Sequence, residues 1–179
     1  LKKAVDIQNA EIAQKNKEIT DSINYAKRIQ FTLLAHDHLL KSNLIDHFVL
    51  FKPKDIVSGD FYWATERGDK FYLAVCDSTG HGVPGAFMSL LNISFLNEAI
   101  NEKGIESPDK ICSYVRKKLI ENISQDGGQD GMDGTLICLD AKAGRLTYAS
   151  AYNTPFLVNG KTGTELGADK MPIGKGENL

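Results

Sequence analysis

The stretch DFYWATERGDKFYLAVCD (residues 60–77) carries the strand signal that decides the fold. Aromatic and β-branched residues dominate it on both sides of residues 68–69, which predicts two strands joined by a two-residue turn. Glycine at the first central position suits a type II′ turn, one of the two turns favoured in tight hairpins. The stretch therefore predicts an antiparallel hairpin.

The turn also sets the register of the hairpin. If Arg67 faces Lys70, then Asp60 lies opposite Asp77, with Cβ atoms about 4.5–5.5 Å apart on one face. The other face carries core residues, namely Phe61, Trp63, Ala74 and Cys76. Opposed like charges destabilise a hairpin unless something compensates them, and a hard divalent cation is the simplest compensation. The alternatives are that one aspartate caps a turn, or that the register slips by one residue.

A glycine-rich loop follows Asp77, with the sequence STGHGVPG over residues 78–85. Glycines let a backbone approach closely, and an apolar helix is predicted from Ala86 to Asn101. The free N–H groups and positive dipole at a helix N-terminus suit a phosphate. An ordinary strand-to-helix turn is the alternative interpretation.

The rest of the C-terminal part alternates between strand and helix signals. A second helix is predicted from Ser107, a good N-cap followed by Pro108, to about Ile123. A polar loop follows at 124–131. Further strands are predicted at 47–52, 135–140, 145–151 and 155–159. Strands in runs with helices in a block indicate an α+β fold, with helices covering a mainly antiparallel sheet.

The N-terminal part predicts one long helix over residues 2–34, because it contains no glycine or proline. Aliphatic residues recur every seven positions, at Val5, Ile12, Ile19, Ala26 and Leu33. Asparagines at the preceding heptad position favour a parallel two-stranded coiled coil, and hence a homodimer through residues 2–34. A single amphipathic helix packed on its own domain is the alternative. We expect a helical linker at 1–44 and a second domain at 45–179.

Composition excludes several classes of protein. The 179 residues carry a net charge of −2, which argues against a nucleic-acid binder with a basic surface. No apolar stretch reaches the length needed to span a membrane without interruption, so we expect no membrane segment. The three scattered cysteines indicate buried thiols in a reducing cytoplasm. A sequence that starts at Leu1 is expected to be a piece of a longer protein.

Four motifs occur in a characteristic order: PKDIVSGDFYW (53–63), VCDSTGHGVPGAFMSLL (75–91), GMDGTLICLD (131–140) and LTYASAYNTPFLV (146–158). Together they resemble the PPM superfamily of metal-dependent protein phosphatases, and most closely its stage II sporulation protein E-like branch. The resemblance runs from about residue 48 to residue 174. It implies a β-sandwich flanked by helices that acts as the output domain of a bacterial signalling protein.

The resemblance also implies a centre with two Mn²⁺ or Mg²⁺ ions. Asp60 corresponds to the aspartate that bridges both metals. Asp77 corresponds to a residue of the metal shell, and the backbone carbonyl of the next residue, Ser78, to a ligand.

Other residues of the motifs receive less specific roles. Gly80 and Gly82 belong to the loop near the phosphate. His81 either protonates the leaving alkoxide or orders the loop, and the structural role is favoured. Asp133 is a candidate for a carboxylate behind the metal ligands, although a turn position is the favoured interpretation.

The implied activity is hydrolysis of phosphoserine or phosphothreonine in a regulatory protein, such as an anti-sigma-factor antagonist. The family's usual histidine is absent at Asn153, and its later metal aspartate has no counterpart before Leu179. We therefore expect residues 1–179 to be a poor enzyme by themselves, within a cytoplasmic parent that carries an upstream sensor or membrane region. The alternative is a non-catalytic signalling or interaction module with the same fold.

Overall fold

The computed structural model describes residues 2–123 and 130–174. The helices are α1 (Lys2–Leu33), α2 (Asp37–Asn43), α3 (Gly82–Asn97), which continues as a π-helical segment (Glu98–Glu102), and α4 (Pro108–Asn122). The strands are β1 (Asp60–Arg67), β2 (Lys70–Ser78), β3 (Gly131–Asp140), β4 (Arg145–Ala151), β5 (Phe156–Asn159), β6 (Thr162–Glu165) and β7 (Ile173–Gly174).

The main sheet has five antiparallel strands. Strands β1 to β4 lie side by side in sequence order, and β7 pairs with the beginning of β3. Strands β5 and β6 form a separate two-stranded sheet. The α+β class with a long N-terminal helix is confirmed.

The hairpin that decided the prediction forms as expected. Arg67 pairs with Lys70 and Asp60 pairs with Asp77. Of the two turn residues, only Gly68 has a positive φ, of 61°, as a type II′ turn requires. The predicted register is confirmed, and no slip separates the two aspartates.

Helices α3 and α4 cover one face of the main sheet. The predicted apolar stripe of α4 is fully buried, because Ile111, Val115 and Leu119 are each 0 % exposed. The sheet contributes its alternate residues to the same core, namely Phe61, Trp63, Tyr72, Ala74, Cys76, Met132, Leu136 and Cys138. The spacing of four along the helix and of two along the strands therefore produces a single hydrophobic core.

The segment 47–52, predicted as a strand, is not one. Phe48 is 91 % exposed and Leu50 is 76 % exposed. Alternation alone does not make a strand, because the backbone also needs a neighbouring strand to pair with. Strand β6 was not predicted, since its sequence TGTE has little apolar content. Most of the predicted loop at 124–131 lies outside the described residues.

Helix α1 is free along most of its length. Residues 2–22 are all exposed, and the apolar positions Val5, Ile12 and Ile19 are 49 %, 50 % and 58 % exposed. These residues do not pack on the rest of the chain, which argues against the single-helix alternative there. The end of the helix is different, because Gln30 is buried and Leu34 enters the main core.

The helical stretch Gly82–Glu102 is long and apolar enough to cross a membrane by length and mean composition, although polar residues interrupt it. Half of it is buried inside the fold. Its polar residues Ser89 and Asn92 are fully buried and hydrogen-bonded to other parts of the chain. These features are typical of the core helix of a globular domain.

Candidate metal centre

Three aspartates form a row across the main sheet. Asp60 pairs with Asp77, and Asp77 pairs with Asp133 on the neighbouring strand. All three point away from the face that α3 and α4 cover, because the residues next to them in sequence belong to the core. The carboxylates thus lie side by side at one end of three strands.

The surroundings of two aspartates in this row, Asp77 and Asp133, oppose their ionisation. Partial burial raises the pKa of Asp77 above its ordinary value, and the neighbouring charges of Asp60 and Asp133 raise it further. Burial also raises the pKa of Asp133. A positive charge placed between such carboxylates would reverse these penalties.

The position of Asp133 corrects one prediction. Its favoured interpretation was a turn residue, but it lies inside β3 directly beside Asp77. The motif GMDG (131–134) favoured a turn over a strand, because glycines close to an aspartate usually mark a turn. The strand tolerates them since Gly134 allows β2 to approach closely: a Cβ there would lie 2.4 Å from the Cys76 sulfur.

The loop after Asp77 packs tightly against the start of β1. A Cβ atom on Gly59 would lie 2.6 Å from the carbonyl oxygen of Gly80 and 2.7 Å from that of Ser78. The Ser78 N–H donates to the Gly59 carbonyl at 3.2 Å. The predicted carbonyl ligand, Ser78, therefore lies next to the segment that carries Asp60.

The two glycines of the loop have the left-handed conformation. Gly80 has a φ of 92° and Gly82 a φ of 60°, which side-chain-bearing residues rarely adopt. The loop then leads into α3 with His81 as the N-cap residue. The His81 side chain is largely exposed, and its Nδ1 lies 3.0 Å from Oδ2 of Asp55.

Sequence reasoning missed the hydrogen bonds that hold these segments. The Thr79 N–H donates to the Gly131 carbonyl at 2.9 Å, and the Gly131 N–H donates to the Thr79 hydroxyl at 3.0 Å. Beneath the loop, the buried Asn92 amide donates to the Ser78 hydroxyl at 3.0 Å. No local sequence signal could have revealed contacts between residues so far apart.

Gln30 connects α1 to the same region. Its buried side-chain amide donates to the Ser58 carbonyl at 2.5 Å and to the Ser89 hydroxyl at 2.8 Å, and its oxygen accepts from the Ser58 N–H at 3.1 Å. Ser58 precedes Asp60 by two residues. The long helix is therefore hydrogen-bonded to the segment that positions one of the paired carboxylates.

A cavity of about 510 Å³ opens beside the aspartates. Asp60 and Asp77 line it together with apolar residues of segment 44–51 and of β2. The pair is thus accessible from one side of the sheet.

The donor atoms suit a hard divalent cation in kind, because carboxylate and carbonyl oxygens are the ligands that Mg²⁺ and Mn²⁺ prefer. Within residues 2–123 and 130–174, however, no three His, Cys, Asp or Glu side chains are grouped closely enough to hold one ion.

Comparison with known protein families assigns the chain to one of them. The family model for stage II sporulation protein E (SpoIIE) matches residues 67–178. The chain belongs to this PPM-type phosphatase family. Within the SpoIIE match lie Asp77, Ser78, His81 and Asp133, whereas Asp60 precedes its first residue.

Solved structures support the assignment to the SpoIIE family. The SiaA-PP2C domain of Pseudomonas aeruginosa superposes with a TM-score of 0.80 and is 34 % identical, over 90 % of this chain and 65 % of that chain. The present chain thus spans about two thirds of that structure's length. A structure of the bacterial stressosome matches more weakly, at 20 % identity and a TM-score of 0.46, over 64 % of this chain and 55 % of that chain. No curated protein matches by sequence.

Proposed function

We propose that this chain is part of a metal-dependent phosphatase that hydrolyses phosphoserine or phosphothreonine in a regulatory protein. One observation carries the proposal: the Asp60–Asp77 pair lies beside a glycine loop that opens the N-terminus of α3. A scaffold has little reason to oppose two carboxylates, since like charges facing each other destabilise a sheet.

The proposed metal ligands are Asp60, Asp77 and the backbone carbonyl of Ser78, with Asp133 behind them. They would help to hold two Mn²⁺ or Mg²⁺ ions, together with ligands outside the described residues. Such ions supply a nucleophilic water at neutral pH and neutralise charge on the phosphoryl oxygens.

The chain's own groups would orient the substrate. Free N–H groups at the start of α3 favour a phosphate, and the glycines at 80 and 82 leave room for it. The close packing of Gly59 against Ser78 and Gly80 holds the carboxylates and the loop at a constant separation. Positioning of this kind is a large part of catalysis in phosphoryl transfer.

The substrate would be a phosphorylated regulatory protein, for which an anti-sigma-factor antagonist is the example suggested by family resemblance. Residues 1–44 would act as a helical linker, and residues 45–179 would belong to the phosphatase domain. We place the domain in the bacterial cytoplasm, downstream of a sensor or membrane region in the parent protein. The hydrogen bonds of Gln30 to Ser58 offer a physical route from linker to site.

The decisive experiment measures Mn²⁺-dependent phosphate release from a phosphoserine peptide by the longer parent protein. Asp60→Asn is expected to lower kcat/KM by a factor of a thousand or more, about 4 kcal/mol of transition-state stabilisation. Asp69→Asn, at the turn of the same hairpin, is the matched control and should retain activity. Residues 1–179 alone should release little phosphate.

A non-catalytic module of the same fold is the second candidate. Among the described residues, no three His, Cys, Asp or Glu side chains lie close enough together to hold one ion, and this favours the second candidate. If the parent releases no phosphate above the Asp60→Asn background, this candidate replaces the first.

We also propose that α1 pairs with a second copy of itself. Ile12 and Ile19 are half exposed in the single chain, so pairing would remove apolar surface from water. Replacing Ile19 and Ile23 by glutamate should convert a dimer into a monomer in sedimentation experiments. Ile7 is the matched control, because it is similarly exposed, at 53 %, but lies outside the heptad seam. Ile7→Glu should therefore leave the dimer intact. A monomeric unmodified chain at high concentration would contradict the coiled-coil prediction.

A further inference from the structure

Asp55 and His81 form a side-chain contact between the two segments that carry the paired aspartates. Oδ2 of Asp55 lies 3.0 Å from Nδ1 of His81. Asp55 precedes Asp60 in the segment leading to β1, and His81 follows Asp77 in the loop leading to α3. The contact therefore joins the segment that precedes Asp60 to the loop that follows Asp77.

The contact is not needed to hold the segments together. Pairing of β1 with β2 and the packing of Gly59 against the loop already do so. The side chains of His81 and Asp55 are 77 % and 40 % exposed, and ion pairs between exposed partners contribute little to stability. The geometry instead has a chemical consequence for the imidazole.

That consequence concerns which ring nitrogen carries the proton. An ionised carboxylate only accepts hydrogen bonds, so Nδ1 of His81 must donate. A Cβ on Gly82 would lie 3.5 Å from Oδ2 of Asp55, so this carboxylate lies beside the N-terminus of α3. The neutral imidazole then has a protonated Nδ1 and a bare Nε2.

We propose that Asp55 is a positioning residue that holds His81 in the Nδ1–H form, so that Nε2 exchanges the proton needed by the leaving group. This inference rests on the proposed phosphatase function. As water attacks phosphorus and loses one proton to solvent, the bond from phosphorus to the serine oxygen breaks. That oxygen takes the proton from Nε2 of the imidazolium, and the neutral imidazole regains a proton from solvent.

The chain provides an internal reference for this proposal. Oδ1 of Asp37 lies 3.2 Å from Nε2 of His47, so this second Asp–His contact uses the opposite ring nitrogen. By the same reasoning, neutral His47 should carry its proton on Nε2. The two histidines should therefore show opposite tautomers in one molecule.

The first experiment is ¹⁵N NMR of the two imidazoles in residues 1–179, at a pH where both rings are neutral. We expect a protonated Nδ1 in His81 and a protonated Nε2 in His47. Asp55→Ala should move His81 to the Nε2–H form and leave His47 unchanged, which also shows that the variant is folded. Asp37→Ala is the matched control and should leave His81 unchanged. An Nε2–H His81 in the unmodified chain, or a His81 tautomer unaffected by Asp55→Ala, would overturn the proposal.

The second experiment compares two leaving groups in the active parent protein. In a phosphoserine peptide the leaving group is the serine alkoxide, which needs a proton. In p-nitrophenyl phosphate the leaving group is a stable phenolate. Asp55→Ala should lower kcat on the peptide about 10–100-fold and change kcat on p-nitrophenyl phosphate far less. Equal losses on both substrates would indicate a purely structural role and overturn the proposal.

The two failures are distinguishable. A wild-type parent without Mn²⁺-dependent activity would overturn the proposed function and with it the proton transfer. The NMR experiment on the Asp55–His81 pairing needs no activity and gives its result independently.

Discussion

The two faces of the main sheet come from the same strands and have opposite properties. On the face under α3 and α4, Phe61 and Ala74 are 2 % and 0 % exposed. On the other face, Val75 is 55 % exposed, and the next residue of β2 on that face is Asp77, the middle member of the aspartate row. One residue along a strand thus separates the core from the charged site.

Coverage of the second face is also uneven. A small cluster of Ala35, Leu40, Ala64 and Phe71 packs against it near the turn of the hairpin. The opposite end, where the aspartates lie, faces the cavity. Burial of apolar residues on one face stabilises the strands. This burial offsets the unfavourable charge pairs on the other face, so the site depends on the core beneath it.

The largest effect on stability should come from cutting a side chain on the covered face. Phe61→Ala is expected to lower the free energy of unfolding by about 3–5 kcal/mol, because it leaves a cavity in a close-packed core. Val75→Ala, on the open face of the next strand, should change it by no more than about 0.5 kcal/mol. Urea unfolding of both variants measures the contrast. Similar losses in the two variants would show that the second face is also a packed core.

An intermediate effect is expected where the two segments of the site touch. Gly59→Ala should destabilise the chain by about 1–3 kcal/mol and weaken Mn²⁺ binding, because its Cβ would collide with the carbonyls of Ser78 and Gly80. Gly167→Ala is the matched control, since a Cβ at residue 167 would meet no atom within 4 Å. Thermal unfolding with and without Mn²⁺ tests both variants. An unchanged Gly59→Ala variant would contradict the close packing.

The smallest effect concerns pH. Because the pKa of Asp77 is raised above its ordinary value of 3.8, the folded chain binds this proton more tightly than the unfolded chain does. Stability should therefore rise as the pH falls from neutral through the raised pKa towards 3.8. Asp77→Asn should remove this dependence in the metal-free chain. The gain is expected to be well below about 1 kcal/mol, because water screens an exposed side chain.

A carboxylate in the segment before α4 should show the opposite sign. A hydrogen bond from Lys70 lowers the pKa of Glu106 below its ordinary value of 4.5. Its stabilising contribution is present above pH 4.5 and is lost as the pH falls through the lowered pKa. Glu106→Gln should therefore remove a loss of stability in acid. Urea unfolding from pH 7 down to about pH 2.5 measures both variants, and equal signs would contradict the assignment of causes.

The sequence by itself determined the features that depend on neighbours along the chain. A two-residue turn with glycine first set the register from Arg67–Lys70 to Asp60–Asp77, because side chains in a hairpin alternate with a period of two. The spacing of four residues likewise predicted the buried stripe of α4, and the absence of glycine and proline predicted the length of α1. The order of the motifs indicated the family.

Only the tertiary structure decided the features that join distant segments. Asp133 stands beside Asp77 because β3 pairs with β2 across a long helical connection, and no local signal specifies that register. The contacts of Gln30 with Ser58 and of Asp55 with His81 likewise join residues 28 and 26 positions apart. The segment 47–52 failed as a strand for the converse reason. Local alternation indicates which side chains can share a face. A strand or a site forms only where a distant segment supplies the backbone hydrogen bonds or the side-chain contacts.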